Sequence, residues 1–374
     1  MGRPQHKRNS QPRLRRSTPE SSLSSTPLAV NDDSKTEKFK QSFYDTIRRT
    51  HKPATSNLVS LFDGLANNLD EPQGGSVEEF FASYDTFKRD FLLRSSETNI
   101  SVCIIDTGID ENHPAIRGGM RRDCIKGRRS WIGDEDDVHD EYGHGTHVAQ
   151  LVLNASENVD IYVAKVANSG HIEERDFCKI GDAIHYATTE WDADIIIMPF
   201  GFPEMDTSVE RAISKASNKL LFAAAANHGN HGDRPYPAKY RNVICVNASN
   251  GKGKDGGINP AATADDETDN FMTLGINIPF FWKGDVCKSG TSFATPITAG
   301  FAINILEIVR ARLGQEHFNQ LRESEYRMRR VFKLMSAPDN GYNFIAPWLL
   351  WGVKSDTFIE EGILDALHNQ YTPL

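Results

Sequence analysis

The sequence predicts an α/β fold: a doubly wound, mainly parallel sheet with helices on both faces, preceded by an α-helical N-terminal region. From residue 99 onward, short runs that are apolar on both faces alternate with stretches of helical periodicity, as in a covered parallel sheet. Between about 36 and 95, apolar residues recur only at helical spacing. The predicted strands are 100–105, 159–164, 194–198, 220–224 and 243–246, and the predicted helices of the α/β part are 144–153, 177–190, 208–218 and 292–313.

Composition limits the classes of protein that this chain can belong to. Its 374 residues are 39% hydrophobic and 25% charged, which excludes collagenous, coiled-coil and wholly disordered proteins. No stretch has the roughly 18 unbroken apolar residues of a membrane-spanning helix, so we expect no membrane contact. The net charge of −9 argues against nucleic acid as a partner, because phosphate contacts need concentrated Lys and Arg.

The N-terminus and the cysteines bear on location. The first residues are basic but lack the apolar core of a signal peptide. Five cysteines without CxxC spacing indicate neither a disulfide framework nor a zinc site. We therefore expect an intracellular, cytoplasmic protein, and the basic run in the first 16 residues keeps a nuclear address open.

Four regions follow one another along the chain. Residues 1–35 are rich in Ser, Pro and Arg, so we expect a disordered basic arm. Residues 36–97 predict two or three amphipathic helices. Their apolar faces must pack on each other, on the next domain or on a protein partner, and the sequence leaves these three choices open. The α/β domain is predicted over 98–315, and 316–374 is predicted to be an extension packed on it.

Three short motifs each contain one residue type of an acyl-transfer triad: IIDTGID at 104–110, GHGTHVAQ at 143–150 and SGTSFATPITAG at 289–300. A serine hydroxyl is a poor nucleophile until a base takes its proton, and a histidine base needs a carboxylate to hold its tautomer. Asp106 follows a predicted strand, and Ser292 begins a long predicted helix whose dipole favours developing negative charge. Singly, Asp106 also suits a strand end, His144 a surface histidine and Ser292 a helix N-cap.

Together, in the order Asp, His, Ser, the motifs resemble those of subtilisin-like serine proteases, the subtilase family, over about 98–315. The resemblance implies a subtilisin-like fold and a serine-type endopeptidase that hydrolyses peptide bonds through an acyl-enzyme on Ser292. It implies His144 as the base and Asp106 as its carboxylate. It also selects His144 over His147, a choice that spacing leaves open. The substrate is then a polypeptide, and we expect no cofactor.

The resemblance extends to the binding groups. LFAAAANHG at 221–229 is similar to the family segment that ends in the oxyanion-hole asparagine, here Asn227. MPFG at 198–201 is similar to a strand edge that pairs with extended substrate, and 223–227 to a wall of the pocket for the residue before the cut. The substrate-binding candidates are therefore Pro199, Phe200, Gly201, Ala224 and Ala226.

Three positions depart from the family pattern. Ala226 and Gln150 stand where glycine is usual, and Pro199 replaces the usual serine. The added methyl group of Ala226 would narrow the primary pocket, and Pro199 removes a backbone donor. We expect Gln150 to affect helix packing more than chemistry.

An acidic run precedes His144 and consists of Asp134, Glu135, Asp136, Asp137, Asp140 and Glu141. Members of the family often bind calcium, for which clustered carboxylates are suitable ligands. We favour a solvated acidic loop and assign no metal ligand.

An alternative function is a catalytically silent subtilisin-like module that binds peptide segments in a regulatory or scaffolding role. The presence of all four chemical residues argues against it. The helices of 36–97 lack the alternating strands of the family's inhibitory prosegment, so we expect them to regulate or to dock a partner.

Overall fold

The computed structural model describes residues 76–92, 98–156, 158–171, 176–202, 204–229, 234–263 and 270–368, without the side chains of 119 and 120. The predicted basic arm and the helices predicted before residue 76 lie outside these residues. The described helices are α1 Ser76–Phe91, α2 Gly119–Asp123, α3 His144–Ala155, α4 Phe177–Thr189, α5 Thr207–Lys215, α6 Thr291–Leu313, α7 Gln315–Arg322, α8 Glu325–Leu334 and α9 Asp356–His368. The described strands are β1 Ile100–Asp106, β2 Ile125–Ser130, β3 Val159–Lys165, β4 Ile195–Met198, β5 Leu220–Ala224, β6 Val243–Ser249, β7 Phe271–Leu274, β8 Ile278–Phe281, β9 Asp285–Lys288, β10 Ser336–Asp339 and β11 Tyr342–Ile345.

Nine of the described strands form one sheet in the order β10-β11-β7-β6-β5-β4-β1-β3-β2. Neighbouring strands are parallel except for β10 and β11. Alternate residues of β1 enter two different cores: Ile104 packs with residues of α1, α3 and α6, and Ile105 with residues of α4 and α5. The predicted doubly wound, mainly parallel fold is confirmed, because helices cover both faces.

The outer strands of the sheet were not predicted from the sequence. β2 reads IKGRRS and lies at the edge of the sheet, where charged side chains face solvent and hide the apolar pattern of a buried strand. β7, β10 and β11 have only four residues each. Since β11 pairs with β7, the chain beyond 315 continues the main sheet.

The helix α6 runs through the interior, and every residue from Thr291 to Val309 is buried. Among the described residues it is the one helix long and apolar enough to span a membrane by length and composition, and its apolar window is 100% buried inside the protein. Burial on all sides explains this composition, since a core helix has no polar face.

The helix α1 packs on this core. The ring of Phe80 lies 4.9 Å from that of Trp348 and 6.4 Å from that of Phe301 on α6. The Tyr84 hydroxyl donates a 2.6 Å hydrogen bond to Oδ1 of Asn304, also on α6. Of the three choices that the sequence left open, the apolar face of α1 therefore packs on its own chain. A partner bound through the rest of 36–97 stays a prediction.

We predict that Phe80→Ala lowers the free energy of unfolding by about 3 to 5 kcal/mol, because it leaves a large cavity between α1 and α6. Thr86→Ala, at an exposed position of the same helix, is the control and should change it by less than about 0.5 kcal/mol. Chemical denaturation followed by circular dichroism measures both, and equal midpoints would contradict the packing of α1.

A buried carboxylate lies near the same interface. Oε1 of Glu307 on α6 accepts a 2.9 Å hydrogen bond from the Ser156 hydroxyl. Burial raises the pKa of Glu307 from its ordinary value of 4.5 to about 7, although hydrogen bonds from Ser156 and Asn158 and the charge of Arg310 act in the opposite direction. The carboxyl group of Glu307 therefore stays protonated in the folded protein over a pH range in which it is ionised in the unfolded chain.

This proton makes stability depend on pH. Because the folded pKa is the higher one, the stabilisation is present below pH 4.5 and is lost as the pH rises through about 7. We predict that wild type loses about 3 kcal/mol more than Glu307→Gln between pH 4.5 and 8, because glutamine does not ionise. Denaturant unfolding across this range is the measurement, with Glu316→Gln, at an exposed position on α7, as the control. Parallel pH profiles of wild type and Glu307→Gln would refute the assignment.

Candidate active site

The structure brings Asp106 and His144 into direct contact. Asp106 is the last residue of β1, and His144 is the first residue of α3. The Nδ1 atom of His144 lies 2.9 Å from each carboxylate oxygen of Asp106, and both side chains are fully buried. The carboxylate thus faces one ring nitrogen of the imidazole, which is the contact that holds a histidine base in one tautomer.

Burial and charge act in opposite directions on Asp106. Burial raises the pKa of Asp106 above its ordinary value, and the nearby charge of Asp140 adds to this rise. The charge of His144, its hydrogen bond and the bond from the Thr107 N–H lower the same pKa. The net effect is a raised pKa of Asp106. The ionised form of this side chain therefore depends on the groups that bond to it.

The neighbouring histidine has a different environment. The ring of His147 stacks on Phe280 with centroids 4.3 Å apart and meets Trp282 edge-on at 5.7 Å. Both aromatic residues belong to the hairpin formed by β8 and β9 and its turn. Of these two histidines it is His144 that bonds to Asp106, and its role as the base stays a prediction.

Ser292 and Asn227 lie at the N-terminal end of α6. Ser292 is the second residue of this helix, and the ring of the next residue, Phe293, lies 5.2 Å from the ring of His144. Oδ1 of Asn227 accepts a 2.8 Å hydrogen bond from the Thr291 N–H. This bond anchors the amide beside Ser292 and leaves its NH₂ group as the donor, which is the half that an oxyanion hole uses.

The five substrate-binding candidates differ in exposure. Pro199, Phe200 and Ala224 are buried, and Phe200 stacks on Phe202 in the core between the sheet, α4 and α5. Gly201 and Ala226 are partly exposed, and a Cβ atom on Gly201 would come within 2.5 Å of Pro235. Because its side chain is buried, Phe200 could contact a substrate only through its backbone. Substrate contact by any of the five residues stays a prediction.

The backbone of Ala226 is strained. Its φ of 86° lies in the left-handed region, where a Cβ atom is unfavourable. Its N–H donates a 3.2 Å hydrogen bond to Oγ1 of Thr291, so the same helix end that holds Asn227 also holds this conformation. Replacement of the usual glycine by alanine therefore places a Cβ atom in a left-handed backbone conformation as well as enlarging the side chain.

Gln150 is buried in α3, and neither polar atom of its side chain has a hydrogen-bond partner among the described residues. A buried amide without partners destabilises the folded state. Its location in the helix interior fits the expected effect on packing.

The acidic run is only partly solvated, and our interpretation was wrong for one residue. Asp140 is 1% exposed and bonds to the first turn of α3, whereas Asp134, Glu135, Asp136 and Asp137 are exposed. The described part of the chain contains no group of three His, Cys, Asp or Glu side chains that could hold a metal ion. No step proposed below involves a metal ion.

The hydroxyl groups of Thr107 and Thr146 donate hydrogen bonds to Asp140. Neither threonine was predicted from the sequence to have a role, and Asp140 was predicted to lie in a solvated loop. One signal was available: Asp140 lies just before a predicted helix, where a carboxylate caps free N–H groups. The surrounding acidic residues concealed it.

Asp106 and Asn227 stand at or just after the carboxyl ends of strands in a doubly wound parallel sheet, and His144 and Ser292 stand in the first turns of helices packed on it. This arrangement defines a class, the subtilisin-like serine proteases. The sequence profile of the Subtilase family matches residues 97–274, which include Asp106, His144 and Asn227 and end before Ser292. Subtilisin DY of Bacillus licheniformis is 33% identical over 225 residues, covering 56% of this chain and 77% of that protein. The chain belongs to the subtilase family.

Other relatives agree with this assignment. A thermostable alkaline protease of Halalkalibacterium halodurans is 32% identical over 238 residues, or 59% of this chain, and the chain spans 60% of that protein's length. An intracellular serine protease of Paenibacillus polymyxa is 33% identical, covering 57% of this chain and 68% of that protein. The solved structure of the prenylagaramide maturation protease PagA covers 79% of this chain and 99% of its own, with a TM-score of 0.52 and 22% identity. This last likeness concerns the fold alone.

We predict that Ala226→Gly raises the free energy of unfolding by about 0.5 to 1 kcal/mol, because relief of the left-handed strain outweighs the added freedom of the unfolded chain. The control is Ala225→Gly, which removes a buried methyl group next door and should lower stability by about 1 kcal/mol. Denaturant unfolding measures both, and destabilisation by Ala226→Gly would show that its methyl group contributes more than its strain costs.

Proposed function

We propose that this protein is a serine endopeptidase that hydrolyses peptide bonds through an acyl-enzyme on Ser292. The observation that carries the proposal is the 2.9 Å contact of His144 Nδ1 with the buried carboxylate of Asp106, beside the helix that begins with Thr291 and Ser292. Family membership supports the same reaction. A peptide-binding module without catalysis would have no chemical need for a buried carboxylate against this imidazole.

In the proposed reaction, Oγ of Ser292 attacks the carbonyl carbon of the scissile peptide bond while His144 takes the hydroxyl proton. Asp106 stabilises the imidazolium that forms. His144 then gives the proton to the leaving amine, and the acyl group stays on Ser292. A water molecule, deprotonated by His144, hydrolyses this ester and restores the serine.

Negative charge develops on the carbonyl oxygen in both steps. The NH₂ group of Asn227 and the N–H of Ser292 are the proposed donors to it, and the dipole of α6 acts in the same direction. Loss of the Asn227 donor would lower turnover on the order of a hundredfold to a thousandfold, the range known for such a donor in this family.

The proposed substrate is a polypeptide bound in extended form along residues 199–201, with Ala224 and Ala226 at the pocket for the residue before the cut. The reaction needs no redox or organic cofactor. We also propose an intracellular location, because the five cysteines have no CxxC spacing and their odd number indicates no disulfide framework, as expected in a reducing compartment.

Covalent labelling with a fluorophosphonate probe tests the proposal. We expect wild type to be labelled at Ser292 and Ser292→Ala to be neither labelled nor active on fluorescent casein. Asp106→Asn should lower turnover by about ten-thousandfold, because the amide presents the wrong tautomer of His144. Mass spectrometry maps the adduct, and Ser169→Ala, at an exposed serine, is the control.

Two results would overturn the proposal. Casein hydrolysis by Ser292→Ala at the wild-type rate would show that another group, or another protein, is responsible. A folded wild-type protein that takes up no probe and cleaves no casein would favour the silent peptide-binding module.

A further inference from the structure

A second buried carboxylate, that of Asp140, lies next to the Asp106–His144 pair. Oδ1 of Asp140 accepts hydrogen bonds from the Thr107 hydroxyl at 2.9 Å, the Gly143 N–H at 2.7 Å and the Tyr142 N–H at 3.1 Å. Its Oδ2 accepts from the N–H of Thr146 at 2.9 Å and from the Thr146 hydroxyl at 2.7 Å. This many donors offset the cost of burying the charge.

Thr107 connects this carboxylate to both members of the pair. Its N–H donates a 2.7 Å hydrogen bond to Oδ1 of Asp106, the preceding residue. Its hydroxyl donates to Asp140 and accepts a 2.9 Å bond from the N–H of Gly145, the residue after His144. One threonine thus bonds to the carboxylate of the pair and to the backbone that carries the imidazole.

Thr146 makes the corresponding connection from the helix. Its hydroxyl donates to Asp140 and accepts a 3.0 Å hydrogen bond from the N–H of Asp110, in the loop that follows β1. The two segments approach closely, since a Cβ atom on Gly145 would lie 2.3 Å from the carbonyl oxygen of Gly108. The end of β1 and the first turn of α3 are therefore held together through Asp140, Thr107 and Thr146, which we call the Asp140 network.

An imidazole can serve as a base only while its orientation is held, and the contact with Asp106 fixes that orientation only if both backbones are fixed. The helix α3 has no side-chain cap at Gly143, whose φ is 95°. Asp140, which lies outside the helix, accepts from the N–H of Gly143, just before the helix, and from the N–H of Thr146 in its first turn. The orientation of the turn that carries His144 therefore depends on Asp140.

We propose that Asp140 is a positioning residue that acts through Thr107 and Thr146 to hold the imidazole of His144 against Asp106. The proposal rests on the proposed function, in which His144 is the base. Asp140 itself touches no reacting atom. Its replacement should therefore slow the chemical step and leave peptide binding unchanged.

The variants Asp140→Asn and Thr107→Val test this. An amide replaces one acceptor oxygen with a donor group, and valine removes the hydroxyl while keeping the shape of threonine. We expect kcat for a peptide substrate to fall about tenfold to a hundredfold in each, the range for a displaced catalytic group, with KM within about twofold. The double variant should lose little more than either single one, because both break one network.

Two controls are matched to these variants. Glu141→Gln removes a negative charge from the next, exposed residue and should keep wild-type kcat. Thr107→Ser retains the hydroxyl and should recover most of the activity that Thr107→Val loses. Probe labelling of Asp140→Asn should reach the same final extent as wild type at a lower rate, which distinguishes a misplaced base from a misfolded fraction.

Proton NMR gives a readout that needs no activity. The Nδ1 proton of His144, bonded to Asp106, should give a downfield resonance that is absent in His144→Ala, and Asp140→Asn should shift or broaden it while Glu141→Gln does not. An unchanged resonance together with unchanged kcat in Asp140→Asn would overturn the positioning role. If wild type neither labels nor cleaves but the resonance depends on Asp140, the proposed function fails while the positioning of His144 stands.

Discussion

A carboxylate excluded from water must be matched by hydrogen bonds or by an opposite charge, and Asp106 is fully buried. Its partners come from two places, the N–H of Thr107 directly after it and the imidazole of His144, 38 residues further along. β1 must therefore end where α3 begins. The interior position of β1 between β4 and β3 and the packing of α3 on its face meet that requirement, so the burial of one charge fixes the relation between two elements.

The sequence revealed the Asp106–His144 pair but not the Asp140 network that holds the pair in place. Asp106 and His144 stand in motifs whose order and neighbours are diagnostic, and the buried strands read clearly because both of their faces are apolar. Asp140 has no such signature. It stands among exposed acidic residues of the same type, and only the fold turns one of them inward.

The limits of prediction for the fold have a similar origin. Periodicity located the cores of β1, β3, β4, β5 and β6 because burial sets their composition. It did not show β2, where edge exposure permits Lys126, Arg128 and Arg129. It also left the partner of α1 undecided, because an apolar stripe on a helix indicates that the stripe is buried but does not identify the element that covers it. Only tertiary contacts with Phe301 and Trp348 decide that question.

Ser292 lies in the first turn of α6, a helix that is buried in the core, and not in a loop. Loops usually carry catalytic groups and open locally at little cost, whereas this turn begins a helix of 23 residues whose body is the centre of the core. The amide protons in the body of this helix should then exchange with solvent only when the whole domain opens. Ser292 therefore begins the helix that forms the centre of the core, so local opening at this residue would disturb the packing of the core itself.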